Sequence, residues 1–431
     1  MPPARQSGRQ WLTGERLRVA LLTYRGNPFC GGQGVYVRHL SRELVRLGHN
    51  VDVFSGQPYP TLDEGVGLTE VSSLDLYREP DPFRIPRRNE YRNWVDALEV
   101  ATMMTAGFPE PMTFSLRARR LLRERRGRYD VVHDNQSLGY GLLGLSRLGL
   151  PLVTTVHHPV QIDRELELAT ALGWRRLTLR RWYGFTTMQR RVARHLRHVI
   201  TVSQSSRAEI EDHLGIAASR VEVVPIGTDT DRFSPDPAHA RVPGRVVTTA
   251  SADVPLKGLL PLIEAIAKVR TERHVELVVV GSTRPGGLAA EAIERYSLGG
   301  AVQFTGRVPD EELVHNLRSA ELAVVPSLFE GFSLPLVEAM ACATAVVATT
   351  GGALPEVAGA DGHAALLVPP GDPQALAAAI GRVLDDATLR ARLGAAGRER
   401  VVDRFTWRAA AAHTADVYRR AIRASSERMG R

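Results

Sequence analysis

Short apolar runs alternate with longer amphipathic runs through almost the whole chain. LRVALLT (17–23), NVDVFSG (50–56), YDVVHDN (129–135), PLVTTVHH (151–158), HVITVSQ (198–204) and RVEVVPIG (220–227) have the length and continuous apolar character of buried strands. Several of the segments between them carry helical period, as in VYVRHLSRELVRLG (35–48). This strand–helix–strand rhythm predicts a parallel sheet with helices on both faces. The rhythm restarts after residue 244, with RVVTTAS (245–251), HVELVVVG (274–281), AVQFTG (301–306), ELAVVPS (321–327), TAVVATT (344–350) and AALLVPP (364–370). Two α/β domains of similar size follow, each a doubly wound parallel sheet, with a central cleft between them. Ligands are expected outside the carboxyl ends of the strands.

The expected boundaries are a flexible N-terminus over 1–16, a first domain over 17–229 and a second over 245–405. TDRFSPDPAHARVPG (230–244), rich in proline and polar residues, reads as a linker. FTWRAAAAHTADVYRRAIRAS (405–425) is helical in pattern, and a terminal helix over 406–431 is expected to pack back toward the first domain. Residues 57–115, with LYREPDPFRIPRRNEYRNW, fit the rhythm poorly and read as an insertion, a lid or a surface loop.

A chain of 431 residues, 44% hydrophobic and 24% charged, is long and apolar enough for two ordinary cores. Its net charge of +8 is carried almost wholly by arginine. That favours acidic partners such as nucleotide phosphates or anionic lipid, and equally fits solvated basic helices. No nucleic-acid motif accompanies the charge, and the glycine loops lack interleaved aromatics, so no specific nucleic-acid partner is expected. The two cysteines, Cys30 and Cys342, suggest neither a disulfide framework nor a cysteine metal site. Residues 1–16 lack the apolar core of a signal peptide, and no run of about 18 apolar residues occurs. A cytoplasmic protein is the expectation.

The stretch PSLFEGFSLPLVEAMA (326–341) carries the most specific chemistry. Glu330 lies on a Gly-Phe loop, a helix is expected from Leu334–Pro335, and Glu338 falls one turn inside it. Two carboxylates beside a helix start can each accept paired hydrogen bonds from a vicinal diol, while the amides of Phe332, Ser333 and Leu334 meet phosphate. A ligand with a sugar diol, a ribose diol and phosphates between them is a nucleotide sugar. Lys257, in ASADVPLKGLLPLIEAI (250–266), stands at a helix start, where an anion would suit it; alone it is also compatible with a surface lysine. His157 and His158 end the fourth predicted strand. Either could serve a site there or be a satisfied structural histidine. CGGQGVYVRHL (30–40) places glycines between a strand and a helix but departs from the dinucleotide fingerprint at Val37. GSTRPGG (281–287) lacks the Gly-Lys-Ser/Thr of a phosphate loop, and the aspartates of DTD (229–231) favour turn and cap roles over metal binding.

In this arrangement the chain resembles the retaining glycosyltransferases of family 4, which have the GT-B fold of two Rossmann-like domains. EGFSLPLVE (330–338) matches their Glu-x7-Glu signature, VVPIGTDTDRF (223–233) their linker entry, and TTVHH (154–158) their first-domain histidine strand. GGQGVYV (31–37) matches their N-terminal glycine loop, and GGALPEV (351–357) their last ligand-side loop. The likeness covers residues 17–420 in order. It implies a metal-independent transfer of sugar from a nucleoside-diphosphate donor, UDP- or GDP-linked, to a hydroxyl acceptor: a sugar, a lipid-linked sugar or a small metabolite. No cofactor or metal is implied. Glu330, His157 and Lys257 would be catalytic: Glu330 on donor-sugar hydroxyls, Lys257 on the diphosphate, His157 at the reaction centre. Glu338 would hold the ribose and Arg307–Val308 the base, with Gly331, Phe332, Ser333, Leu334, Gly32 and Gly34 also on the donor. Gln33, Asn135 and His158 would meet the acceptor.

Two positions depart from the family pattern. Ala252 stands where an arginine usually partners the lysine, which leaves Arg284 as a substitute cation; Ser333 replaces a common glycine, a harmless change if only its amide is used. Epimerisation, hydrolysis or phosphorolysis on the same fold is the alternative chemistry, and a basic nucleic-acid binder a distant one. Finally, WRRLTLRRWYGFTTMQRRVARHLRH (174–198) carries eight arginines, and LRARRLLRERRGR (116–128) adds more. The former reads either as a solvated helix over the first core or as a peripheral contact with an anionic membrane, at the inner face.

Overall fold

The computed structural model describes residues 16–26, 32–78, 80–145, 148–250, 254–283 and 286–429. Cys30, Gly31, Ala252 and Arg284, and almost all of the N-terminal stretch, lie outside them. The chain divides into two compact units. Unit 1 comprises 1–200, 211–222 and 411–431, and unit 2 comprises 201–210 and 223–410.

Unit 1 is built on a sheet of seven strands: β1 (Arg18–Thr23), β2 (Asn50–Ser55), β3 (Gly67–Glu70), β4 (Val131–Asn135), β5 (Leu152–Thr155), β6 (His198–Thr201) and β7 (Val221–Val223). Their order is β3-β2-β1-β4-β5-β6-β7, with parallel pairing from β3 through β6. All five residues of β4 are buried, as a central strand covered on both faces requires. Strand β3 falls inside the 57–115 stretch expected as an insertion or lid. Part of that stretch therefore extends the sheet. Its signal was missed because GLTE, half exposed at a sheet edge, lacks a continuous apolar run. Elsewhere in the stretch aromatic rings pack: Phe108 lies 5.1 Å from Trp182 and 5.6 Å from Tyr77, centroid to centroid.

Unit 2 holds six parallel strands: β8 (Val242–Thr249), β9 (Glu276–Val280), β10 (Val302–Phe304), β11 (Ala320–Val325), β12 (Ala345–Thr349) and β13 (Leu366–Val368). Their order is β10-β9-β8-β11-β12-β13. Val246, Leu277, Val279, Leu322, Val324 and Val347 from the strands meet Leu262, Ile263, Ile266, Leu376 and Ile380 from the helices in one buried core. Asp372 and Asp386 start consecutive helices by accepting hydrogen bonds from Gln374 and Ala375, and from Leu389. Strand order reverses between β1 and β4 in unit 1, and between β8 and β11 in unit 2. Those reversals are where an open α/β sheet leaves a crevice beyond its carboxyl edge.

The terminal helix Trp407–Met429 contributes a core residue to unit 1. Tyr418 is fully buried, and its hydroxyl lies 2.6 Å from His133 Nδ1 on β4. His133 Nε2 lies 2.7 Å from Thr155 Oγ1, which also meets the Tyr36 hydroxyl at 3.0 Å. Burial drives His133 down to about 3, so the ring is neutral and tied at both nitrogens. Tyr418→Phe leaves a buried ring nitrogen without its partner. It is expected to destabilise the protein by about 1–3 kcal/mol, read as a lower urea midpoint with an unchanged slope.

Candidate active site

Four segments distant in sequence converge beyond the carboxyl ends of β8, β11 and β12. Lys257 follows β8, in the turn Pro255–Lys257. Glu330 follows β11. Lys257 Nζ lies 2.8 Å from Glu330 Oε1, and Ser327 Oγ donates to the same oxygen at 2.7 Å. The lysine is 33% exposed and the glutamate 11%, so the pair is sheltered yet reachable. Backbone contacts lock the frame. Leu328 N donates to Leu256 O at 2.7 Å, and Ala353 N to Glu330 O at 2.8 Å.

These close approaches explain the glycines. Gly258 has φ +66°, and a Cβ there would stand 1.9 Å from Pro326 O. Gly352 has φ +62°, and its Cβ would stand 2.3 Å from Glu330 O. Only glycine allows one backbone to lie directly on another in these conformations. The GGALPEV loop thus acts as the floor beneath Glu330.

A fourth segment was not singled out from the sequence. The short helix Gln204–Glu209 sits in unit 2, and Ser206 Oγ donates to Gly331 O at 3.2 Å. Glu356 accepts from Gln204 N at 2.8 Å and Ser205 N at 2.7 Å. The carboxylate of GGALPEV is therefore a clamp on the backbone that supports Gly331. The motif marked its place, but its partners 152 and 151 residues earlier could not be read.

The helix Leu334–Ala341 begins with Pro335 in its first turn, as predicted. Among the described residues, the backbone N–H groups of Phe332, Ser333 and Leu334 have no hydrogen-bond partner. Unpaired N–H groups at a helix start suit an anion. Glu338 is half-buried on this helix, and no described residue shares a hydrogen bond or ion pair with its carboxylate. Burial, then the charge of Asp310, pushes that carboxyl up to about 7.

Phe332 and Ser333 are both buried. The Phe332 ring is buried against Phe405, 5.6 Å between centroids, so only its backbone remains for a ligand; an apolar side chain at a loop base finds the core first. Ser333 is not a neutral replacement for glycine. Its φ is +89°, a region costly for a residue with a Cβ, and its buried hydroxyl has no partner among the described residues. Arg307 is exposed and Val308 half-buried just past β10, where Gly306 N donates to Gly281 O at 3.1 Å. Asp229 accepts from Asp231 N and Arg232 N at 3.3 Å each, a turn role.

In unit 1 the residues beyond β1, β4 and β5 form a second cluster. His157 and His158 lie past the end of β5, which stops at Thr155; at the sheet edge their polar rings leave the ladder. His157 Nε2 lies 2.7 Å from Asn135 Oδ1, which puts the proton of the neutral ring on Nε2 and makes Nδ1 its acceptor nitrogen. Asn135 Nδ2 reaches Gln33 O at 3.4 Å, so the three sequence-distant residues meet. Gly32, Gln33 and Gly34 open the helix Gly32–Arg46. His158 lies 3.7 Å from Asp163. Burial holds His157 at about 4, so it is neutral at ordinary pH and acts as a hydrogen-bonding group.

Gln136, not anticipated, brackets the histidine pair. Its Oε1 accepts from His157 N and its Nε2 donates to His158 O, both at 2.6 Å. Its φ of +55° is sustained by Asp134, whose buried carboxylate accepts from Ser137 N and Leu138 N at 3.3 and 3.1 Å.

The unpartnered Glu338 has a pH signature. In the folded chain its proton stays on up to about pH 7, whereas an unfolded glutamate loses it near 4.5. The folded state binds more protons between those values, so this group's contribution to stability falls as pH rises through them. Glu338→Gln is expected to stabilise the ligand-free protein by about 1–3 kcal/mol at pH 8, with the gain vanishing toward pH 4.5. Melting temperatures at the two pH values check this.

Family models match both halves of the chain: Glycosyltransferase Family 4 over residues 30–232, and glycosyl transferases group 1 over residues 243–386. The chain is 54% identical to the MMP alpha-(1->4)-mannosyltransferase of Mycolicibacterium hassiacum, across 94% of its own length and 98% of the relative's. It is 30% identical to the D-inositol 3-phosphate glycosyltransferase of Kineococcus radiotolerans, across 94% and 95% of the two chains. The solved sucrose-phosphate synthase of Thermosynechococcus elongatus shares the fold with a TM-score of 0.71 at 25% identity, over 95% of this chain and 100% of that one. With two parallel sheets of seven and six strands and such likeness along nearly its whole length, the chain belongs to glycosyltransferase family 4, as a hexosyl-transferring enzyme of GT-B fold.

Proposed function

We propose that this enzyme transfers mannose, with retention of anomeric configuration, from a nucleoside-diphosphate donor to a hydroxyl of a carbohydrate acceptor. The observation that carries the donor reading is the Lys257–Glu330 pair at 2.8 Å, beside the open amides of residues 332–334. Such a pair holds itself together until a ligand offers both an anion and hydroxyls. The diphosphate takes the lysine and the sugar hydroxyls take the carboxylate. Mannose and a (1→4) linkage are read from the likeness to the Mycolicibacterium hassiacum enzyme.

In the reaction, the bond from the anomeric carbon to the diphosphate oxygen breaks and the acceptor oxygen bonds to that carbon on the same face. The acceptor's proton passes to the departing phosphate. Lys257 and the helix-start amides stabilise the charge that develops on the leaving group; no metal is invoked. A double displacement would require an available carboxylate nucleophile. Asp134, adjoining Asn135, is fully buried and occupied by the amides of Ser137 and Leu138. This favours the front-face route. Glu338 takes the ribose diol, Arg307–Val308 the base, and His157 a hydroxyl at the reaction centre.

A second reading concerns location. No described helix is long and apolar enough to cross a membrane. The basic segment divides in two. Phe185–Ala193 buries Met188 and Val192 in unit 1, whereas Gly173–Trp182 has no fully buried residue, and Trp182 at its end packs on Phe108. Around the latter, Leu172, Trp174 and Leu177 are 82%, 81% and 55% exposed, and Arg175, Arg176 and Arg180 make no ion pair with described residues. Apolar and cationic groups exposed together support peripheral contact with an anionic membrane.

Binding of UDP-, GDP-, ADP- and TDP-sugars by calorimetry, then anomeric assignment of the product by NMR, tests the donor and the stereochemistry. Lys257→Ala is expected to lower kcat about 10²- to 10³-fold; a loss under threefold, or an inverted product, would overturn the mechanism. Co-sedimentation with phosphatidylglycerol vesicles at low salt, weakened in Trp174→Ala, is the outcome expected of the membrane contact. Absence of binding removes that reading.

A further inference from the structure

Ser333 concentrates two unfavourable features in one residue. Its backbone stands at φ +89°, ψ 88°, left-handed territory that favours glycine. The residue is 5% exposed, its Oγ is buried, and that oxygen has no hydrogen-bond partner among the described residues. It occupies the N-cap of Leu334–Ala341, yet makes no cap bond. A serine cap usually accepts from the second or third helical N–H with extended backbone. Here the second helical residue is Pro335, which has no N–H, and the backbone is not extended. The hydroxyl is therefore denied the local use that normally explains a serine at this position. A buried hydroxyl without a partner is unfavourable, and strain and unmet polarity collect where a ligand completes the site.

The surroundings specify the ligand's charge. The unpartnered amides of Phe332, Ser333 and Leu334 are donors, and Lys257 approaches the adjoining Glu330. These amides and the lysine offer protons, whereas the Glu330 carboxylate accepts them. A hydroxyl among donors is itself best used as a donor, toward an anionic oxygen. Resting on the donor reading above, we infer that Ser333 binds the donor through its side chain, its hydroxyl donating to a phosphate oxygen of the nucleoside diphosphate. The hydroxyl supplies a contact that glycine at this position would lack, beside the backbone amides. The strain is retained because the Cβ that causes it carries that hydroxyl.

Two variants separate the side chain from the backbone. Ser333→Ala keeps the Cβ and removes the hydroxyl; Ser333→Gly removes both. Titration calorimetry of each, with GDP, UDP and the corresponding nucleosides, reads the effect. The expected result is an equal rise of about tenfold in Kd for the diphosphate in both variants, from loss of a hydrogen bond to a charged group. Nucleoside affinity should be unchanged. In the same samples Ser333→Gly should melt higher than Ser333→Ala, since only it relieves the left-handed strain. Diphosphate affinity within twofold of wild type in the alanine variant overturns the assignment, as does a loss confined to the glycine variant, which would trace the effect to the backbone. Wild-type protein that binds neither diphosphate overturns the donor reading, and this assignment with it.

Discussion

The cluster around Lys257 and Glu330 depends on backbone lying directly on backbone. The turn carrying Lys257, the loop carrying Glu330 and the GGALPEV loop approach so closely that a single Cβ at Gly258 or Gly352 would meet a carbonyl at 1.9 or 2.3 Å. That compression brings a lysine and a glutamate 73 residues apart in sequence to within 2.8 Å. The ion pair is worth only about 1–3 kcal/mol as a charged hydrogen bond. The loop packing and its backbone hydrogen bonds define where it sits.

Electrostatics divides the two units' clusters by protonation. In unit 2 the cluster combines a lysine, two carboxylates and open amides, suited to an anion bearing hydroxyls. In unit 1 burial keeps His157 and His133 neutral, at about 4 and 3. A neutral histidine beside Asn135 and Gln136 presents oriented hydrogen bonds rather than a charge. Gln136 holds the backbone on both sides of the His157–His158 bond, so a residue outside any recognised motif positions that segment, while Asn135 meets the His157 ring. Glu338, raised to about 7 and without a hydrogen-bond or ion-pair partner among the described residues, shows the opposite case: a half-buried carboxyl group left unpaired.

Much of the fold was legible because buried parallel strands leave continuous apolar runs. Twelve such runs marked twelve of the thirteen strands. The thirteenth, β3, is an edge strand with alternating exposure and left no such signal. Glu330, Glu338 and Lys257 were legible because they stand at strand ends and helix starts, positions that local pattern does reveal. Glu356, Ser206 and Gln136 were not, because each acts through a backbone partner that only folding supplies.

The sequence by itself determined the alternation of strands and helices, the presence of two sheets, and the charged and glycine residues gathered at their carboxyl edges. Local periodicity and turn chemistry are enough for that. Only the tertiary structure decided that the Phe332 ring serves the core, that Ser333 sits strained with an unmet hydroxyl, and that Tyr418 closes a buried network on β4 from the far end of the chain. Those outcomes depend on which atoms are excluded from water and on what backbone angle the surrounding loops impose, and neither quantity exists until distant segments meet.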